Sequence, residues 1–298
     1  MYEVSSLCCM SFRAPSNILL SLILLCIVLK FRYQDVPFHN WRHAACVTHI
    51  TYFLIANTQA GKYLDPIHHL VLLTAAICHD LDHPGTNNAF QVNSRSDLAL
   101  RYNDISVLEN HHSSMAWDIL YAPGADILST LDAQQFKKVR DLMISSILMT
   151  DMKQHFSLQG ELKGIISNDG RETGLSFDEG KEEEAKALIT KVLLHCADLS
   201  NPTRPWELTL NWGRLVGEEF ESQVLKETEL GISVSTFMHC ETEEERANNE
   251  IGFIKGLIVP WWDTVSSAFS DLGFINSNIS KNITHYQELA AAAKAEEK

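Results

Sequence analysis

LVLLTAAICHDLDHPGTNNAF, residues 70–90, decides how the chain folds. Its first half is an apolar run without Gly or Pro, the composition of a buried helix. The run stops at His79-Asp80-Leu81-Asp82-His83, and Pro84-Gly85 then breaks any helix. Four titratable groups therefore stand within five positions at the end of an apolar segment. Buried imidazoles and carboxylates are costly unless they are paired or bind a cation. The stretch points to a core helix that ends in a cluster of candidate ligands.

The same pattern recurs outward from it. ACVTHITYFLIANTQ, QFKKVRDLMISSILMTDM and EEEAKALITKVLLHCADL place apolar residues at three- and four-residue intervals, as a helix with one buried face does. Alternating strand-like runs are hard to find, and turn formers gather at breaks: Pro66, Pro84-Gly85, Pro123-Gly124, Pro202 and Pro205. The expectation is an all-α domain of many helices over residues 31–298, preceded by an atypical segment at 1–30. Residues 159–184, QGELKGIISNDGRETGLSFDEGKEEE, are polar, acidic and Gly-bearing, and read as a surface loop. The Ala-rich end, ELAAAAKAEEK, reads as a helix that frays into solvent.

The 298 residues are 45% hydrophobic, enough for a sizeable core, and carry a formal net charge of −14. Such a surface repels polyanions, so a nucleic-acid polymer is not expected as a partner. A small anionic substrate is compatible, because a bound metal supplies local positive charge. Seven cysteines without a C-x-x-C pair argue against a disulfide framework or a Cys-based zinc site, and for a reducing compartment. The cytoplasm is therefore the expected location. Residues 18–29, ILLSLILLCIVL, are too few to span a bilayer, which takes about 20 apolar residues. A buried helix is the favoured reading there and a membrane anchor the alternative. Sequons at Asn278 and Asn282 would matter only in a secreted protein. The sequence carries no signal for oligomeric state.

His39 and His43 lie four apart in FHNWRHAA and share a helical face, as do His79 and His83 of H-D-x-x-H. His195 and Asp198 close another apolar run, while Glu109, His111 and His112 follow in SVLENHH and Asp151 and His155 in MTDMKQH. Such groups on separate apolar helices converge in one core only if a cation compensates them. Mixed imidazole and carboxylate ligands suit zinc, iron or manganese, and oxygen-rich ones magnesium or manganese. One Asp can bridge two ions, as in sites that hydrolyse phosphate esters. A lone H-x-x-x-H pair is commonly an ordinary surface or core feature; several of them beside apolar runs are harder to explain that way.

FHNWRHAACVTH, HDLDHPGTNNAF, NDISVLENHH, LMTDMKQHF and HCADLSNPTRPWELTLNWGRLVGEEF occur in an order and spacing that resemble the class I cyclic nucleotide phosphodiesterase catalytic domain. The resemblance covers about residues 31–269, and YQDVPFHNWRHA is most similar to the members regulated by cyclic GMP. It implies a compact all-helical fold with a buried two-metal site, and hydrolysis of a 3′,5′-cyclic nucleotide to the 5′-monophosphate. It also implies ligands: His43, His79, Asp80 and Asp198 for zinc, with Asp80 bridging to magnesium or manganese. His83, Glu109 and Thr150 would hold waters around that pair. A hydroxide between the ions would attack phosphorus, and His39, oriented by Glu219, would protonate the departing O3′. Phe253 and Val216 would clamp the purine, Phe220 would line the pocket, and Asn201 and Trp212 would border it. Without the resemblance, Val216, Phe220 and Phe253 read as core.

The chain departs from the family's pattern at four places. Glu250 stands in NNEIGFI where the family has Gln, and Asn249, rotated away on the helix, does not replace it. An amide donates and accepts, whereas a carboxylate only accepts. Adenine would donate from N6, guanine from N1–H and N2–H together, and a protonated Glu250 would mimic the amide; the sequence leaves these three open. The working expectation is that Glu250 weakens cyclic AMP more than cyclic GMP. Phe38 replaces the family's Tyr, Thr209 stands where some members have Tyr, and GISVSTFMHCETEEER lacks the usual Pro after Ile-Ser. Two competing readings are another H-D phosphohydrolase and a degenerate domain that binds cyclic nucleotide without turnover.

Overall fold

Polar caps set where the helices begin. Asn40, Asp65, Asn87 and Ser96 accept from the first free backbone amides of the helices that follow them. Asp132 with Gln135, and Thr242 with Glu245, form reciprocal capping boxes. The computed structural model describes residues 16–122, 124–167 and 174–296. Among them are fourteen α-helices and no strand, with an isolated antiparallel bridge between Ile166 and Leu175. In chain order these are α1 (Ser16–Arg32), α2 (Trp41–Asn57), α3 (Gln59–Lys62), α4 (Pro66–Cys78) and α5 (Asn88–Asn93). Next come α6 (Asp97–Tyr102), α7 (Val107–Leu120), α8 (Ala133–Leu148), α9 (His155–Gly164) and α10 (Glu182–Asp198). The last are α11 (Trp206–Leu230), α12 (Glu243–Phe253), α13 (Val259–Ala268) and α14 (Phe274–Glu296), with a π-helical turn, Ile254–Ile258, joining α12 to α13.

The centre is made by α2, α4, α8 and α10, which pack on one another. α4 is the stretch quoted at the outset: Val71, Leu72, Ala75, Ala76 and Cys78 are without exposed surface. Val192, Leu193 and Leu194 of α10 meet the same core, as do Val47 and Leu54 of α2 and Met143 and Ile147 of α8. Trp261, Trp262 and Phe269 fill the far side, and large buried aromatics of this kind dominate core energetics.

Two expectations change. Residues 159–164 do not belong to a loop but complete α9, because Leu158 and Leu162 are fully buried and Gln159 donates to Pro260 O at 2.7 Å and Thr264 Oγ1 at 3.0 Å. Likewise 182–184 already form the first turn of α10, where acidic side chains suit the helix dipole. Part of the expected loop, 168–173, lies outside the described residues. The segment at 18–29 is helical, but it is buried along one stripe only. Leu25 and Leu29 enter the core, whereas Leu19, Leu20, Ile23 and Ile27 of α1 are exposed. No helix among the described residues is long and apolar enough to cross a membrane. α14 stays helical to Glu296, with Tyr286 and Ala290 buried and Lys294 paired to Glu244 of α12 at 2.8 Å.

The one-stripe burial of α1 separates two substitutions. Leu29→Ala should cost about 2–5 kcal/mol in urea unfolding, the range for a fully buried leucine. Leu20→Ser should stay within roughly 0.5 kcal/mol, as at an exposed site. Equal costs would contradict the packing of α1.

Candidate active site

Four donor atoms from three helices meet behind the floor of a cleft. His43 comes from the first turn of α2, which Asn40 starts by accepting from the amides of Arg42 and His43. His79 and Asp80 follow the last turn of α4, and Asp198 is the last residue of α10. His43 Nε2 lies 3.3 Å from Asp80 Oδ2 and 3.1 Å from Asp198 Oδ1; His79 Nε2 lies 3.0 and 3.3 Å from the same two oxygens. All four atoms are within 4.8 Å of one another, and both imidazoles are buried. Donors about 2.0–2.2 Å from a shared tetrahedral ion stand at close to these separations.

The donor set also fits a divalent cation chemically. His79 Nδ1 donates to Ala76 O at 2.9 Å, which leaves the Nε2 lone pair facing the carboxylates. His79 Nε2 and Asp80 Oδ2 are buried without a hydrogen-bond partner. Burial works against charge on both carboxyls, yet the His79 and His43 imidazoles hold Asp80 and Asp198 well below the usual range.

Beside the cluster, His39 Nδ1 pairs with Glu219 Oε1 of α11. Glu219 Oε2 accepts from the backbone amides of Phe38 and His39 at 2.9 and 3.0 Å, so the carboxylate is fixed from both sides. Burial lowers the His39 pKa, but the Glu219 hydrogen bond and the Asp80 charge outweigh it and leave it raised. The His39 ring stacks on His83 at 4.0 Å between centroids and keeps 28% of its side chain exposed. His83 Nδ1 accepts from the Gly85 amide at 3.0 Å. Asn88 donates to both Glu109 oxygens, at 3.2 and 2.9 Å; burial and the Asp151 charge push Glu109 up to about 7. Thr150 hands its hydroxyl to Ile147 O at 2.7 Å. Asp82 turns away from the cluster, accepting from Gln34 at 2.8 Å and His111 at 2.9 Å.

An open cleft of about 1400 Å³ runs from these groups to the other end of α12. It is lined by His39, Asp80, His83, Glu109, Thr150, Asp198 and Glu219, and also by Asn201, Trp212, Val216, Phe220, Glu250 and Phe253. His43 and His79 lie deeper, against its floor. The residues that the resemblance assigns to the metal centre and the base thus meet at one cleft, whereas His111 pairs with Asp82, and His155 and His195 hydrogen-bond each other at 2.9 Å outside its lining.

The sequence matches the description "3'5'-cyclic nucleotide phosphodiesterase" over residues 38–279. The chain belongs to this family. It is 39% identical to the mouse (Mus musculus) high affinity cGMP-specific 3′,5′-cyclic phosphodiesterase 9A over 246 residues, 83% of this chain and 44% of that protein. It is 37% identical to the 3′,5′-cyclic-nucleotide phosphodiesterase regA of Dictyostelium discoideum over 250 residues, 84% of this chain and 30% of that one. The chain therefore spans less than half the length of these relatives. The crystal structure of the phosphodiesterase domain of Salpingoeca rosetta rhodopsin phosphodiesterase superposes with a TM-score of 0.87 at 37% identity, covering 93% of this chain and 83% of that one.

Against that family background the departures acquire physical content. Phe38, in the Tyr position, packs edge-on against Trp212 and lies 4.7 Å from the His43 ring. Thr209 is buried and donates to Asn201 O at 2.9 Å, within reach of Arg204 O at 3.1 Å. Asn282 is 2% exposed and donates to Pro202 O, Arg204 O and Thr209 Oγ1 at 2.8–3.0 Å, so this sequon is interior. In the segment that lacks the Pro, the Ser235 amide and hydroxyl donate to Glu227 at 2.6 and 2.9 Å, and the Cys240 amide to Glu221 at 2.9 Å. Gln223 links that network to the loop after the metal motif through Asn87. Glu227, Gln223 and Tyr286 carry no signal in the sequence; each is one polar residue on a long helix.

Chelation tests the cluster directly. A divalent cation held by these four donors stabilises the fold by mass action. EDTA should therefore lower the melting temperature of the wild type but hardly alter that of Asp198→Ala, and elemental analysis should find less metal in the variant. Equal chelator shifts in both proteins would place the cation elsewhere.

Proposed function

We propose that the protein hydrolyses 3′,5′-cyclic nucleotides to 5′-monophosphates, with cyclic GMP favoured over cyclic AMP. The observation that supports this most is the His39–Glu219 pair beside four converging metal donors at the floor of a nucleotide-sized cleft. His43, His79, Asp80 and Asp198 would hold zinc, and Asp80 would also reach magnesium or manganese. His83, Glu109 and Thr150 stand around the open side, where they would hold water. Divalent ions bound there supply Lewis-acid polarisation of the phosphate and activation of water.

The protein's own residues supply the rest. His39, with Nδ1 given to Glu219, offers Nε2–H to the departing O3′ as general acid. Glu219 keeps the ring oriented and favours the imidazolium. Trp212 and Asn201 border the nucleotide, Phe253 and Val216 enclose the purine faces, and Phe220 lines the slot, which is how an apolar clamp supplies affinity. Phe253 is 36% exposed, as a base-facing ring at a cleft mouth is before it is covered.

Glu250 is the basis for the nucleotide preference. Burial pushes its carboxyl up to about 7. Above that pH it is an acceptor only, suited to the N1–H and N2–H donors of guanine; adenine offers one amine beside a ring lone pair that a carboxylate repels. Below it, the protonated acid offers a donor and an acceptor, as an amide does.

Turnover of cyclic AMP, cyclic GMP and the linear monophosphates, with zinc and magnesium present, tests the activity. Binding without turnover, or turnover confined to linear nucleotides, would overturn the reading. His39→Ala should retain metal and lose roughly 10²–10⁴-fold in kcat. Glu219→Gln should move the basic limb of the pH profile to lower pH, because the imidazolium loses its partner. The ratio of kcat/KM for cyclic GMP to that for cyclic AMP should rise from pH 6 to pH 8 and flatten in Glu250→Gln; a ratio that is the same in both proteins removes Glu250 from specificity.

A further inference from the structure

α14 continues past residue 279, where the family match ends, and brings Tyr286 to the wall of the cleft one turn after Asn282. Asn282 ties the helix to the turn that carries Asn201 through the three hydrogen bonds described above. At the other end, Lys294 ties it to Glu244 of α12, the helix that carries Glu250. Between these anchors lies Tyr286, 2% exposed, with its ring edge-on to Trp206 at 4.9 Å. Its hydroxyl reaches the wall of the cleft and is buried without a hydrogen-bond partner. A buried tyrosine hydroxyl ordinarily has one.

Gly213 shows where that hydroxyl sits. A Cβ on Gly213 would lie 2.6 Å from Tyr286 Oη and 3.4 Å from Glu250 Oε1. The hydroxyl and the carboxylate therefore share the recess that Gly213 leaves by having no side chain. Tyr286 Oη forms no hydrogen bond to the Glu250 carboxyl, and neither does another described side chain. Burial raises the Tyr286 pKa first and the Glu250 charge adds to it, against a smaller opposing effect of Arg214, so the phenol keeps its proton and remains a donor.

We propose that Tyr286 is a positioning residue for Glu250: the two make no hydrogen bond as they stand, and a small turn of the carboxylate within the shared recess would bring one oxygen onto the hydroxyl and leave the other turned to the purine edge as an acceptor. α14 then takes part in the choice between guanine and adenine without touching the base. The inference rests on the cyclic-nucleotide reading above and deepens it. A carboxylate free to rotate presents either oxygen at either angle; one held by a phenol presents a single acceptor in a fixed direction. Loss of the phenol should therefore fall on binding of the base and not on the phosphate chemistry, which lies at the other end of the cleft.

The test compares wild type, Tyr286→Phe, Glu250→Gln and the double variant, with kcat and KM measured for both cyclic nucleotides. A hydrogen bond to a charged group predicts that Tyr286→Phe raises KM for cyclic GMP about tenfold or more. By the same argument kcat should change less than about twofold, and KM for cyclic AMP less than about threefold. In the Glu250→Gln background, where the phenol meets a neutral amide oxygen, the effect of Tyr286→Phe should shrink. Gly213→Ala, which favours the helix and crowds the Tyr286 hydroxyl, should give the same split. A ¹³C titration of the Glu250 carboxyl in nucleotide-free protein supplies a readout independent of turnover; loss of the donor should move it upward by roughly half a unit to one unit. Equal losses for both nucleotides, an undiminished effect in the Glu250→Gln background, or an unmoved Glu250 titration would overturn the proposal. Absence of hydrolysis by the wild type would overturn the functional reading instead, and the carboxyl titration would still decide whether Tyr286 holds Glu250.

Discussion

Two imidazole nitrogens and two carboxylate oxygens stand 3.0–3.3 Å apart in the interior, and the rest of the structure is arranged around making that tolerable. Each group alone would be costly to bury, and the set leaves His79 Nε2 and Asp80 Oδ2 without hydrogen-bond partners. A divalent cation resolves both problems at once, because it replaces the lost solvation of all four donors. The donors come from the ends of α2, α4 and α10, the helices whose apolar faces form the central core. Placement of the ligands and burial of the core are consequently one act of folding. The apolar packing holds the helix ends still, and the ligands at those ends need the stillness.

Around that point burial falls off in steps that match the proposed division of labour. His43 and His79 lie under the floor of the cleft, Asp80 and Asp198 reach its surface, and His39 stands in the cleft with its ring partly open to solvent. A group that passes a proton to a leaving oxygen has to be reachable, whereas a ligand does better without competing water. Glu219 joins the two zones. It is 4% exposed, and its fixed carboxylate binds the His39 ring and the backbone ahead of α2 together, so the orientation of the ring and the start of the helix depend on the same interaction.

The other end of the cleft is built on different terms. There the groups that reach the cleft come from helices far apart in the chain: Asn201 after α10, Glu250 on α12, Tyr286 on α14. Burial raises the pKa of Glu250, where the imidazoles lower those of Asp80 and Asp198. The same chemical group thus meets two environments in one cleft: imidazoles hold its pKa down at the floor, and burial raises it at the other end. Asn282 fixes the turn that carries Asn201; its three acceptors explain why an amide is held in the interior.

The helical class was legible in the chain, because helical period and capping residues are local and repeat wherever a helix buries one face. Spacing alone offered the His39/His43, His79/His83 and His195/Asp198 pairs; the choice of His43, His79, Asp80 and Asp198 as a set came from the resemblance. Local pattern failed where polarity and burial disagree. Gln159 looks like a loop residue yet is buried through two hydrogen bonds to α13, and the apolar run of α1 looks wholly interior yet enters the core only through Leu25 and Leu29. Nothing in HYQELAAAAK marks Tyr286 as facing Glu250, and nothing in NWGRL marks Gly213 as the gap between them. The sequence by itself determined which helices form and which side chains stand at their ends. The tertiary structure alone decided which of those ends meet, since a distance between residues far apart in the chain depends on how the helices cross and not on the pattern within any one of them.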